Sequence, residues 1–134
     1  MASLTSDRNT PERTGESFAF PAKANTTIFR GSLVALEAGY VVPGHTATGL
    51  VAVGRAEQVV EDQFGVAQVV ARRGVFRFGN LSGDVVTQAE VGADCYIVDD
   101  QTVAKTDGGG TRSRAGKVVA VELLGVWVQT GLGY

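Results

Sequence analysis

From Asn25 onward, short apolar runs rich in β-branched residues alternate with glycine-bearing breaks. TTIFRG, SLVALEAG and YVVPG follow one another, then GLVAVGRAEQVVE over residues 49–61 and VAQVVARRGVFRF over residues 66–78. DVVTQA, ADCYIVDD, TVAK, GKVVAVEL and GVWVQTG complete the series. Strand-like runs at close spacing, separated by LEAG, DQFG, GN and SGD turn signals, predict an all-β fold. The expected architecture is a small β-sandwich or partly closed barrel with short glycine-rich turns. No segment of a dozen residues keeps apolar positions at helical spacing, and QAEVGA supplies at most a turn or two of helix. No repeat of solenoid or propeller period is present.

Side chains alternate across a strand, so the runs name core candidates. Val119, Val121 and Leu123 point one way, with Val118, Ala120 and Glu122 opposite. Tyr96 and Val98 share one face, Cys95 and Ile97 the other. Two apolar faces on one run suggest central strands, or a second surface that meets a partner. Trp127, in GVWVQ, suits a core or interface anchor.

Residues 1–24 are expected to form a flexible or extended N-terminal arm, and residues 25–134 a single β-domain. Residues 1–17 are polar, carry Pro11 and Gly15, and show no periodicity. Phe18 and Phe20 then place two aromatic rings on one side of a short extended segment. They are expected either to cap the core edge or to anchor the arm to a neighbour.

Composition narrows the function classes. A chain of 134 residues suits one domain that buries roughly two-thirds of its unfolded surface. Its net charge of −2 argues against nucleic-acid binding through a generally basic surface. Charged residues make up 19%, below the usual value of about 25%. The single cysteine, Cys95, excludes an internal disulfide and a multi-cysteine zinc site, and in DCYIV it is expected to act as a small buried hydrophobe. The first residues lack the apolar core of a signal peptide. No apolar stretch approaches the roughly 20 residues that span a membrane. Synthesis as a soluble cytoplasmic protein is therefore the expectation.

The candidate chemistry fails on geometry. GGGTRSRAGKV looks like a phosphate loop, but five residues separate Gly110 from Gly116, one more than the motif allows. Val118 takes the hydroxyl position, and the following VVAV favours a strand. The expected alternative is a mobile glycine loop between strands, with Arg112, Arg114 and Lys117 solvated beside it. His45, the only histidine, lies in a turn-like PGHTATG without metal partners. No nucleophile elbow accompanies it. Asp99 and Asp100 would point to opposite faces of a strand. They fit a hairpin turn in which Asp side chains accept backbone N–H bonds, and Asp107 is expected to head the glycine loop in the same way. No catalytic residue, metal or cofactor is expected.

The clearest charge feature is ARRGVFRFGN, where Arg72, Arg73 and Arg77 interleave with Val75, Phe76 and Phe78. A plain strand with solvated arginines and core phenylalanines is the first reading. A protein interface is the second, favoured by nine Arg to three Lys along the chain. Single-stranded nucleic acid is a distant third.

The ordered series IFRGSLVALEAGYVVPG, GLVAVGRAE, RRGVFRFGN, YIVDDQTVAKT and GKVVAVELLGVWV covers residues 28–128. Together these segments resemble the capsid cement, or head decoration, proteins of tailed bacteriophages and prophages. The resemblance implies a β-rich virion protein, made in the host cytoplasm, that binds the outside of the assembled shell. Its implied partners are the major capsid protein and further copies of itself, as a trimer in preference to a dimer. Neither nucleic acid nor membrane is implied as a partner, and no catalytic residues carry over. On that reading Phe18, Phe20, Arg72, Arg73, Arg77 and Trp127 are the expected subunit or capsid contacts. Two alternatives remain: a tail or baseplate β-module, and an enzyme or carbohydrate-binding module on a β-sandwich, suggested by Asp99, Asp100, Asp107 and Trp127.

Overall fold

In the computed structural model, which describes residues 2–11, 13, 15–62 and 67–134, the apolar runs become twelve strands. They are β1 (Ser17–Pro21), β2 (Thr26–Ile28), β3 (Leu33–Glu37), β4 (Tyr40–Pro43), β5 (Val51–Ala56), β6 (Val60–Asp62), β7 (Gln68–Arg72), β8 (Gly74–Asn80), β9 (Asp94–Ile97), β10 (Thr102–Ala104), β11 (Arg114–Glu122) and β12 (Gly125–Thr130). The fold is all-β. One five-stranded antiparallel sheet runs β1-β7-β5-β3-β4. A second set closes into a barrel, β10-β8-β12-β11-β9, in which only β8 and β10 are parallel. Strands β2 and β6 form a separate ribbon.

The hairpin β3–β4 turns on Ala38 and Gly39, with φ of 49° and 89°. Positive φ at both central residues matches the right-handed twist of the paired strands. Alternation, interrupted by one register shift between β3 and β5 at Val53, then sorts the central strands between two hydrophobic cores. Leu33, Ala35, Val42 and Ala52 face the barrel and join Phe78, Cys95, Ile97, Val103, Val126 and Val128. Val34, Val41 and Val53 face the other way and meet Ala22, Ile28, Val60, Val69 and Ala71. The five-stranded sheet is thus buried on both faces along β3, β4 and β5. That explains their near-continuous apolar runs.

Of the expected arm, residues 17–21 form β1 and pair with β7 through five positions, from Ser17 opposite Arg72 to Pro21 opposite Gln68. The chain continues into Ala22, fully buried and bridged to Val41, which draws the sheet's two outer strands together. Phe18 and Phe20 lie half-buried on one side of β1 with ring centres 6.3 Å apart. Phe20 packs against the second core.

Three expectations change. DVVTQA is not a strand, because the Asn80 amide donates to the Val86 carbonyl at 2.8 Å and accepts the Val86 N–H at 2.9 Å. This side chain takes the place of a neighbouring strand and leaves only a 3₁₀ turn over Gln88–Glu90. Val119 and Leu123 are not core residues. A bulge at Val119, between the pairs Val118–Val128 and Ala120–Trp127, breaks the alternation and turns Val119 outward. Finally, Arg112, Arg114 and Lys117 are ion-paired beside the glycine loop, as set out below. The turn expected at DQFG includes residues 63–65, which lie outside the described residues.

Candidate functional site: an arginine and aromatic groove

Strands β7 and β8 are one length of chain, bent at Arg73, that passes from the open sheet into the barrel. The bend rests on close backbone approaches at two glycines. A Cβ on Gly54 would sit 2.1 Å from the Arg72 carbonyl oxygen, and one on Gly131 would sit 2.2 Å from the Arg73 Cβ. Their φ angles, 126° and 136°, are also ones that side-chain-bearing residues rarely adopt. At this bend the sheet and the barrel leave a groove of about 460 Å³, lined by Gly31, Arg55, Arg72, Arg73, Gly74, Val75, Phe76, Arg77, Phe78 and Trp127.

Each guanidinium is steered by a ring or a carboxylate. Arg55 stacks 4.3 Å from the centre of the Phe76 ring, and its Nη2 lies 2.9 Å from Glu57 Oε1. Arg77 sits 5.8 Å from the Trp127 ring centre and donates to Glu122 at 3.0 Å. Arg72 approaches Glu16 at 3.7 Å. Arg73 lies 4.6 Å from the Tyr134 ring centre, and its buried Nε has no hydrogen-bond partner. Arg55 also holds Glu57 through its Nε in a part-buried pair. The Arg72 and Arg77 pairs are substantially exposed, so each of these two is worth about 1 kcal/mol or less. An incoming carboxylate can exchange with them at small cost.

Four of the six expected contact residues therefore meet: Arg72, Arg73, Arg77 and Trp127 line one groove. Phe18 and Phe20 do not line it; they face Ala71 and Val69 across β1–β7. Arg55 and Tyr134 were not legible as partners, because strand pairing and the C-terminal turn bring them in from distant sequence.

Arg77 links the groove to the β11–β12 hairpin. Glu122, held by Arg77, immediately precedes a two-residue tip in which Leu123 is fully exposed and Leu124 is 70% exposed. The tetrapeptide ELLG carried this signal in the sequence. Turns favour Gly, Asn, Asp and Ser, so paired leucines at a tip serve neither turn chemistry nor the core.

The remaining candidates resolve as structure. The Asp99 carboxylate accepts the Gln101 N–H at 2.9 Å, closing the turn between β9 and β10. In the glycine loop the Asp107 carbonyl, not its carboxylate, accepts the Thr111 and Arg112 N–H groups. Arg112 is tied to Asp84 at 2.9 Å, while Arg114 and Lys117 both reach Asp94 at 2.8 Å. Hydrogen bonds from Thr106 and Arg112 hold the Asp84 carboxyl below its ordinary value, and bonds from Arg114 and Lys117 do the same at Asp94. His45 Nε2 lies 3.1 Å from Glu37, which Lys23 also holds at 2.6 Å. Cys95 is fully buried, and desolvation pushes its thiol up to about 12.

No family model, curated protein or solved structure matches this chain.

Proposed function

We propose that this chain is a structural virion protein that binds the outer surface of an assembled phage capsid and stabilises it by bridging neighbouring capsomers. The supporting sequence observation is the ordered series of segments over residues 28–128. The structural observation that carries most weight is the bare Leu123–Leu124 tip, next to Glu122, which Arg77 of the arginine groove holds, and on the same hairpin as the half-buried Trp127. Arg and Trp are over-represented among the residues that dominate protein–protein contacts, and the two bare leucines add apolar surface beside them. Fully burying each leucine is worth about 1.5–3 kcal/mol.

The mechanism is mass action. A protein that binds only the closed lattice stabilises it by RT ln(1 + [L]/Kd) per site, and the sites repeat over the particle. Modest contacts strengthen when one oligomer, a trimer on this reading, engages several capsomers at once. The body suits the task because two cores share the central sheet, so little ordering remains to be done on binding.

The test is co-sedimentation of the purified protein with mature, undecorated capsids from the phage or prophage that encodes it. Binding should saturate at a fixed number of copies per particle. A protein that stays in the supernatant at every concentration contradicts the proposal.

A further inference from the structure

Strand β8 is fully paired on one side only. On the β12 side it holds five positions, from Gly74 opposite Thr130 to Phe78 opposite Val126. On the other side β10 covers only Gly79 and Asn80. The Gly79 N–H donates to the Gln101 carbonyl at 2.7 Å, and the Leu81 N–H to Val103 at 3.0 Å, which fixes the direction of the odd-numbered amides. Backbone groups alternate sides along a strand. Val75 and Arg77 therefore turn their N–H and C=O groups away from β12, and no described residue pairs with them there. Both residues are exposed and line the arginine groove.

We infer that this groove is a strand-addition site for an extended acidic peptide segment of a partner protein. The free edge supplies backbone bonds at Val75 and Arg77. Specificity comes from charge. In an added strand, alternate side chains project to one face about 7 Å apart, and Arg55, Arg72, Arg73 and Arg77 line the groove that receives it. Carboxylates at every second position meet Arg72 and Arg77, whose present partners Glu16 and Glu122 are exposed and weakly held, and Arg73, whose Nε has no hydrogen-bond partner. The arginines concentrate positive charge locally on a chain whose net charge is −2. Phe76, one residue from Arg77 and on the other face of β8, offers its ring to the apolar side chains between the carboxylates.

A rival explanation is that the arginines merely guard the edge against pairing, since charged side chains are a common defence of open strands. The two ideas predict opposite results with an acidic strand. The inference stands on the groove's geometry alone, so its test uses free protein and no capsids, and its outcome is independent of the capsid proposal.

The probe is the blocked peptide Glu-Val-Glu-Val-Glu, with Lys-Val-Lys-Val-Lys and a short oligothymidylate as comparisons. Trp127, the only tryptophan, reports binding by its fluorescence. Amide exchange at Val75 and Arg77 reports strand addition. The acidic peptide should bind saturably and slow exchange at both amides. Arg55→Glu and Arg72→Glu should each weaken it about tenfold or more while the folded spectrum is kept. Equal binding of the lysine peptide, binding of the oligothymidylate alone, no binding, or binding that leaves both amides exchanging freely overturns the inference. The exchange measurement uses the unaltered protein, so it decides the matter even if a substituted chain fails to fold.

Discussion

Arg112 reaches Asp84 across 28 residues of chain, its Nη1 2.9 Å from Asp84 Oδ2. The same carboxylate oxygen accepts the Thr106 hydroxyl at 2.6 Å and the Thr106 N–H at 3.0 Å. One side chain thus fastens both ends of the glycine loop, over a stretch where Gly108, Gly109 and Gly110 all have positive φ. Asp84→Ala should speed amide exchange at Thr106, Thr111 and Arg112 while β11 and β12 stay protected. Uniform loss of protection across the barrel would contradict this local role.

Asp94 ties β9 to β11 through Arg114 and Lys117, and its folded pKa lies below the unfolded one. Its stabilising contribution is therefore complete above the ordinary carboxylate range and is lost as pH falls through the lowered folded value. Melting temperature measured against pH should show Asp94→Asn less stable than the parent near neutrality, with the two curves converging in acid. A constant gap at all pH values would assign the effect to packing. Glu37, Asp84 and Glu90 are lowered too, so the parent's acid limb should be broad.

Core and tip should respond in opposite ways. Ile97 is fully buried, and Ile97→Ala should cost about 2–5 kcal/mol in denaturant unfolding. Leu123→Ser with Leu124→Ser should leave stability within about 0.5 kcal/mol per residue yet sharply weaken capsid binding. A large stability loss at the tip would mean that the leucines serve the fold after all.

Strand positions were legible in the sequence because short β-branched runs are bounded by glycine turns. The two-faced burial of β3, β4 and β5 was not assigned, since packing on both faces erases the period of two. The outward turn of Val119 was not legible either, since one bulge residue shifts every later side chain and leaves no mark in the pattern. DVVTQA was misread because its backbone partner is the Asn80 side chain six residues upstream, which strand propensity does not record. For the candidate site, ARRGVFRFGN announced three groove arginines. Arg55 and Tyr134 joined them through pairings that only the folded chain defines. Phe18 and Phe20 stand apart from the groove because β1 adds to the far side of β7.

Cys95, buried with its thiol pushed up to about 12, should be inert to alkylating reagents at neutral pH because the thiolate is the reactive form. Labelling should occur only on unfolding, at a rate that tracks global stability across the substitutions above. Rapid labelling of the native protein would show that the barrel opens locally at β9.

The central claim is that this molecule acts by tying shell subunits together, and heating particles with and without it tests that claim most directly. Stripped capsids should release their contents at a lower temperature than capsids refilled with the protein, and the gain should rise with occupancy and then level off. Identical release temperatures at full occupancy would contradict a stabilising role.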